Sequence, residues 1–307
     1  MVTITSFDSE KLFVLESDLL RVSVMELGAT VTQILYRGRS VALGYPRVQD
    51  YLNHGAYVGA TVGRFANRIA GGRFPLNGRE QRVLTNEGAN TLHGGPDSWD
   101  RRRWEGREEG ESVVFRLLSP DGDNGFPGAL RASVRYTVTG GTLRLDFEGV
   151  SDKDTVYAPT NHMYFNLRGE GDIRATVMRI PAAGVLEVGE GLIPTGRVLP
   201  AEGDFDFSAP RPVARSYDHA FVLRGERACE AEAGGVRLTL DTDFPALQFY
   251  TGDFLGEPFG ACGGFAVEPE FYPDAPNHPD FPSATLRAGE TFRRWALFRF
   301  SDAETLS

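Results

Sequence analysis

Histidine is scarce in this chain, with five in 307 residues, so each can be weighed by its neighbours. In Thr160-Asn161-His162-Met163-Tyr164-Phe165-Asn166-Leu167, apolar Met163, Phe165 and Leu167 alternate with His162, Tyr164 and Asn166. Successive strand side chains point to opposite faces, so this segment presents one face to a core and one polar surface. A histidine there serves equally as a proton carrier or as a satisfied structural group on a wet sheet. Phe265-Ala266-Val267-Glu268-Pro269-Glu270-Phe271-Tyr272 alternates likewise and sets Glu268, Glu270 and Tyr272 on one face. Burial and a like charge nearby both raise a carboxyl's pKa and suit it to acid–base work near neutrality; a solvated strand face is the plainer alternative. Leu247-Gln248-Phe249-Tyr250 offers Gln248 and Tyr250 together, an amide for hydroxyls and an aromatic plate for a sugar's C–H face.

A second polar group lies nearer the N-terminus. Gly63-Arg64-Phe65-Ala66-Asn67-Arg68-Ile69 precedes Asn90-Thr91-Leu92-His93-Gly94-Gly95, where glycines permit close backbone approach and Asn, Arg and His supply donors. The spacing is not that of a phosphate-cradling loop, and ordinary surface charge is the alternative for Arg64 and Arg68. His54 and His278 fall in loop-like sequence, and His219 in Tyr217-Asp218-His219-Ala220-Phe221 is ambiguous.

The elements that position these residues are strands. Glycine (36) and proline (18) punctuate short runs of Val, Leu, Phe, Tyr and Thr, the rhythm of an all-β chain. From Ala132 onward Val134, Tyr136 and Val138 alternate with polar residues, Gly140-Gly141 offers a tight turn, and Leu143, Leu145 and Phe147 resume the alternation. This reads as a hairpin with one buried face. Val236, Leu238 and Leu240 repeat the pattern, and no long segment keeps a helical period, so helix should be scarce. The stretches Glu202 to Pro212 and Asp97 to Gly110 read as surface loops. With no linker or repeat, residues 1–307 are expected to form a single domain, a large antiparallel β-sandwich with a broad concave face.

Composition narrows the partners. A net charge of −10 opposes nucleic acid, because no cationic excess exists to release phosphate counterions. Cys229 and Cys262 are too few for a disulfide framework or metal knuckle. No signal-like or membrane-spanning apolar run is seen, which makes the cytoplasm the expected location and a membrane partner unexpected.

The strings "GRFANRIAGGRFPLNG", "NTLHGG", "SPDGDNGFPG", "PTNHMYFNLRG", "YDHAFVL", "LQFYTGDFL" and "VEPEFYPDAPNHPDFPS" resemble motifs of the aldose 1-epimerase, or galactose mutarotase, family and occur in that family's order along nearly the whole chain. The resemblance implies a supersandwich of the galactose mutarotase type and interconversion of the α and β anomers of free aldohexoses such as glucose or galactose, by a monomer or homodimer. No metal or organic cofactor is implied. It places the general acid on His162 and the general base on Glu268, and substrate-binding roles on Asn67, Arg68, His93, Tyr164, Asp218 and Gln248. The base would take the C1 hydroxyl proton and the acid would protonate the ring oxygen from the opposite side of the anomeric centre. His162 would need to be protonated first, helped by Glu268 or Asp218.

The chain departs from the commoner pattern where Met163 replaces serine, Pro269-Glu270 replaces threonine-glutamine, and Pro96-Asp97-Ser98-Trp99 follows "LHGG". Trp99 and Glu270 are therefore expected to shape the cleft rim. The alternatives are a hexose-6-phosphate 1-epimerase, which needs several arginines on the phosphate, a non-catalytic carbohydrate-binding protein, and a glycosidase using Glu268 and Glu270.

Overall fold

The computed structural model describes residues 1–53 and 55–303, so His54 lies outside the described residues. Antiparallel sheet dominates. The largest sheet runs in the order Glu105–Glu109, Ser112–Ser119, Leu130–Thr139, Thr142–Ser151, Thr291–Asp302, Val236–Thr242, Arg227–Ala233, Val177–Arg179 and Arg211–Pro212. A second takes the order Tyr164–Phe165, Phe265–Glu270, Ala246–Tyr250, Asp218–Leu223, Ala182–Val188 and Pro194–Leu199. A third is an N-terminal meander of Val2–Phe7, Glu10–Glu16, Leu20–Met25, Thr30–Tyr36 and Arg39–Ser40. Among the described residues the one α-helix is Val48–Asn53, and no helix is long and apolar enough to cross a membrane.

The predicted hairpin is present. Val134, Tyr136 and Val138 are buried on one strand and Leu143, Leu145 and Phe147 on the next, with Thr139 opposite Thr142 across Gly140-Gly141. Gly140 has φ +53°, and a Cβ on Gly141 would run into the Phe300 carbonyl, so the turn requires both glycines.

Sheet packs on sheet through aromatic residues. Phe165 of the second sheet meets Phe298 and Phe300 of the first, with ring centroids 5.6 and 6.2 Å apart. Phe13 of the meander meets Phe115 of the first sheet edge to face at 5.3 Å. The first sheet is thus covered partly by the second and partly by the meander, around one continuous apolar cluster. The expected sandwich holds, with two sheets sharing the task of covering the third.

Two expectations need correction. The stretch Asp97 to Gly110 is not simply a surface loop: it contains the strand Glu105–Glu109 and buries Trp99 against Trp104 at 5.3 Å. Its charged residues masked two apolar anchors. Trp99 lies so close beneath Gly63 that a Cβ there would collide with the indole. It supports the segment leading to Arg68 from below and does not form the cleft rim. The Glu202 to Pro212 stretch is largely exposed but inserts Phe207 into the core.

Phe165 is fully buried at the junction of the two large sheets, so Phe165→Ala should lower unfolding free energy by about 3–5 kcal/mol in urea titrations. A loss below about 1 kcal/mol would show that the junction tolerates a cavity.

Candidate functional site

Residues directly opposed in an antiparallel ladder share a face. Gln248 opposes Glu268, Ala246 opposes Glu270, Tyr250 opposes both Ala266 and Asp218, and Ala266 opposes Tyr164. The register therefore collects Tyr164, Asp218, Gln248, Tyr250, Glu268 and Glu270 on the face turned away from Phe165, Phe249, Phe265 and Val267. Pro269 fits between the two glutamates because the strand is locally an edge there. Its carbonyl accepts the Thr160 hydroxyl at 2.7 Å, on the side where Tyr164–Phe165 no longer pairs, and no ladder partner requires the missing N–H.

His162 arrives from a separate segment held by backbone bonds. Its amide donates to the Ala60 carbonyl at 2.8 Å and its carbonyl accepts the Gly59 amide at 2.9 Å. Beneath it, the Asn161 amide group donates to the Gly59 carbonyl at 2.9 Å and to the buried Tyr136 hydroxyl at 3.3 Å. Asn67 and His93 fix each other: the Asn67 amide donates to His93 Nδ1 at 3.1 Å, and the His93 amide donates to the Asn67 carbonyl at 3.1 Å. Nδ1 is therefore the acceptor, and Nε2 of the neutral ring carries the proton. Gly94 must be glycine, since a Cβ there would overlap the Gly63 carbonyl.

These segments enclose an open cleft of about 920 Å³. The eight residues to which the resemblance assigns roles, His162, Glu268, Asn67, Arg68, His93, Tyr164, Asp218 and Gln248, line it. His162 Nε2 lies 3.5 Å from Glu268 Oε1. Gln248 Nε2 donates to Asp218 Oδ1 at 2.5 Å. His162 Nδ1, Gln248 Oε1 and Glu268 Oε2 are buried without a protein partner. Buried polar atoms are ordinarily paired, and their concentration here marks a floor suited to a ligand rich in hydroxyls.

Burial governs the protonation of this floor. Desolvation lowers His162 to about 4 and holds His93 well below the usual histidine range, with the neighbouring His162 and Arg68 adding to the effect. Desolvation raises Glu268 well above the ordinary carboxyl value, followed by the charges of Glu270 and Asp218, against a lowering by Arg68. At 3.5 Å the two side chains would form an ion pair if both were charged, but burial drives each toward its neutral form. This reverses the expectation that nearby carboxylates promote His162 protonation, because the carboxyl meets the same desolvation.

Glu270 corrects a second expectation. It is buried behind Glu268, accepts the Asn67 side-chain amide at 3.0 Å, and is absent from the cleft lining. His219 turns to the other face, against Phe205 at 4.8 Å, and His278 pairs with Asp274 at 3.3 Å outside the cleft lining. Arg64 is no surface charge: its buried guanidinium donates to the carbonyls of Ser119, Pro120, Pro127 and Gly128 and pins the "SPDGDNGFPG" segment. Sequence reasoning missed Glu87, whose carboxylate takes Arg68 Nε and Nη2, each at 2.8 Å. An acid in the turn leading to His93 was the available signal. It also missed Tyr57, packed against His93 at 4.6 Å and His162 at 6.0 Å, which stands in no alternating pattern.

The family model described as aldose 1-epimerase matches residues 11–299. The chain is 38% identical to galactose mutarotase of Bos taurus over 95% of this chain and 94% of that one. It is 36% identical to aldose 1-epimerase of Escherichia coli over 91% of each. The crystal structure of galactose 1-epimerase from Lactobacillus acidophilus superposes with a TM-score of 0.91 at 27% identity over 99% of both chains.

Histidine ring ¹⁵N NMR should show His162 neutral across about pH 5–8, with a midpoint near about 4. A midpoint at the ordinary value of 6.5 would mean that the carboxyl, not burial, controls the imidazole.

Proposed function

The chain belongs to the aldose 1-epimerase family and is an isomerase that interconverts sugar anomers; on that premise we propose that His162 and Glu268 perform the two proton transfers on a free aldohexose. The observation that carries this reading is their 3.5 Å separation on the floor of the cleft. Mutarotation requires that O1 lose a proton while the ring oxygen gains one. Both oxygens are bonded to the same carbon, so two adjacent groups reach both. The arrangement replaces the opposite-sided one expected from the sequence.

The pair works with a single proton. One member takes the O1 proton as the other protonates the ring oxygen, and the C1–O5 bond breaks to leave an aldehyde. Rotation about C1–C2 presents the other carbonyl face. Closure runs the transfers backward and restores the pair. In the free site the shared proton rests on Glu268. With His162 as acid and Glu268 as base, as the resemblance implies, that proton first crosses to the imidazole; in the reverse order it goes directly to the sugar. Both orders need one proton on the pair, neither two nor none.

The rest of the floor orients the ring. Gln248 is fixed by its hydrogen bond to Asp218, His93 offers Nε2–H, and Tyr164 lies tilted beside His162 with centroids 4.8 Å apart, a plate for the sugar's C–H face. The phosphosugar alternative loses support here. Arg68 is the one arginine or lysine among the described lining residues, and Glu87 already engages it on two nitrogens. A purely binding role would not need the acid–base pair, and the glycosidase reading on Glu268 and Glu270 would need both of those carboxyls in the cleft, which Glu270 does not line. We further propose that residues 1–307 act as one unit in the cytoplasm.

Polarimetry of fresh α-D-glucose and α-D-galactose should show accelerated mutarotation, with Glu268→Gln and His162→Asn each slower by roughly 10²- to 10⁴-fold. Near wild-type rates in either variant would remove that residue from the mechanism. The wild-type pH profile should be bell-shaped. Its acid limb should fall near about 4, where His162 takes a second proton, and its basic limb above the ordinary carboxyl range, where Glu268 loses the only one. An acid limb near 6.5, the ordinary histidine value, would overturn the one-proton scheme.

A further inference from the structure

Resting on the mutarotase reading, we propose that Glu270 is a positioning residue for the reaction: a second buried carboxyl, behind Glu268 on the same strand face, that keeps the shared proton on the His162–Glu268 pair. The two glutamates are 2% and 1% exposed, and side chains two apart on a strand lie about 7 Å apart. Glu270 does not line the cleft and so touches no sugar. Its Oε1 accepts the Asn67 side-chain amide, a bond that an amide oxygen in the same place would accept equally well. The carboxyl adds the capacity for charge. Its Oε2 is buried without a partner, so nothing stabilises the anion beyond that one amide, and two anions side by side in a desolvated floor repel strongly.

The groups facing this carboxyl pair set the balance. Asp218 faces it from the next strand but one and Arg68 from the segment that also carries Asn67, with opposite effects on both glutamates. Glu87 holds the Arg68 guanidinium. On the remaining flank stand His162, at 3.5 Å from Glu268, and Tyr164, whose hydroxyl is raised by burial and then by Glu268. Arg68 is the only cation in this set, and half of its hydrogen-bonding fork is committed elsewhere. With Glu270 in place, whichever carboxyl ionises first leaves a charge beside the other, and the charge of Glu270 raises Glu268 in this way. The pair therefore keeps its proton to higher pH than a lone buried Glu268 would allow.

Glu270→Gln keeps the acceptor for Asn67 and removes the ionisable group. The basic limb of the mutarotation pH profile should move to lower pH by about one unit or more, with plateau kcat and KM within about threefold of wild type. An unmoved limb in the folded variant would overturn the proposal, and so would a lowered plateau with the limb in place, which is what a merely structural role predicts. Infrared titration in D₂O reads the same claim without activity. The wild-type protein should keep protonated-carboxyl absorption at about pH 7, part of which is lost in Glu270→Gln while the remainder bleaches at lower pH. Absence of any such band in the wild type at that pH would overturn the proposal even if mutarotation itself were never detected. Presence of the bands without mutarotation would instead count against the function.

Discussion

What the site depends on is the register of Phe265–Glu270 against Ala246–Tyr250. Glu268 stands opposite Gln248, and Phe249 opposite Val267. A slip of one residue would send both carboxyls into the aromatic core and bring Val267 and Pro269 to the cleft floor. The core prevents this. Phe265 and Val267 are buried beside Phe165 and Phe249, and reversing the strand would take them out of that apolar cluster and put two carboxyls among the rings, away from the Asn67 amide. Apolar packing on one face thus dictates which polar side chains stand on the other.

The same strand is buried on both faces, and this second consequence controls the charges. Water cannot screen Glu268, Glu270 or His162, so neutral forms prevail. The arginine that could stabilise an anion is answered by Glu87, so the floor does not acquire a fixed positive charge. Such a site binds an uncharged, hydroxyl-rich ligand more naturally than a phosphate, which would require cations free to meet it.

Much of this was legible in the sequence, for reasons that also set the limits. Period-two alternation identified the hairpin from Ala132 to Phe147 and the polar faces around Gln248 and Glu268, because side-chain direction in a strand follows from parity alone; it failed for the segment Thr160 to Leu167, where His162 lies between the separate short strands Thr160–Asn161 and Tyr164–Phe165. Parity treats Glu268 and Glu270 alike, and only Asn67, brought in from two hundred residues away, separates the cleft-facing carboxyl from the hidden one. The assembly of the eight cleft residues came from the family resemblance, since no local pattern states which strands pair. Trp99 and Trp104 were concealed by the charges around them, and Arg64 by the habit of reading arginine as surface. The partnership of Arg68 with Glu87 was invisible because an ion pair is a tertiary fact. The protonation of His162 was misjudged because a sequence shows which groups are near but not how far water is excluded from them.

That last point decides the energetics of the pair. Two opposite charges 3.5 Å apart attract by about 5 kcal/mol at an effective dielectric constant near 20. Desolvating each ion costs several kcal/mol, and both groups are shifted toward their neutral forms, so the charged pair loses to the neutral one. Glu268 Oε2, Gln248 Oε1 and His162 Nδ1 are buried and lack partners, so a separated charge gains no hydrogen bonds from the protein at these atoms. Hydrogen bonds to a carboxylate or an imidazolium are stronger than those to the neutral groups, so the missing partners weigh against the charged form. Burial and the missing partners thus act in the same direction, toward the neutral pair.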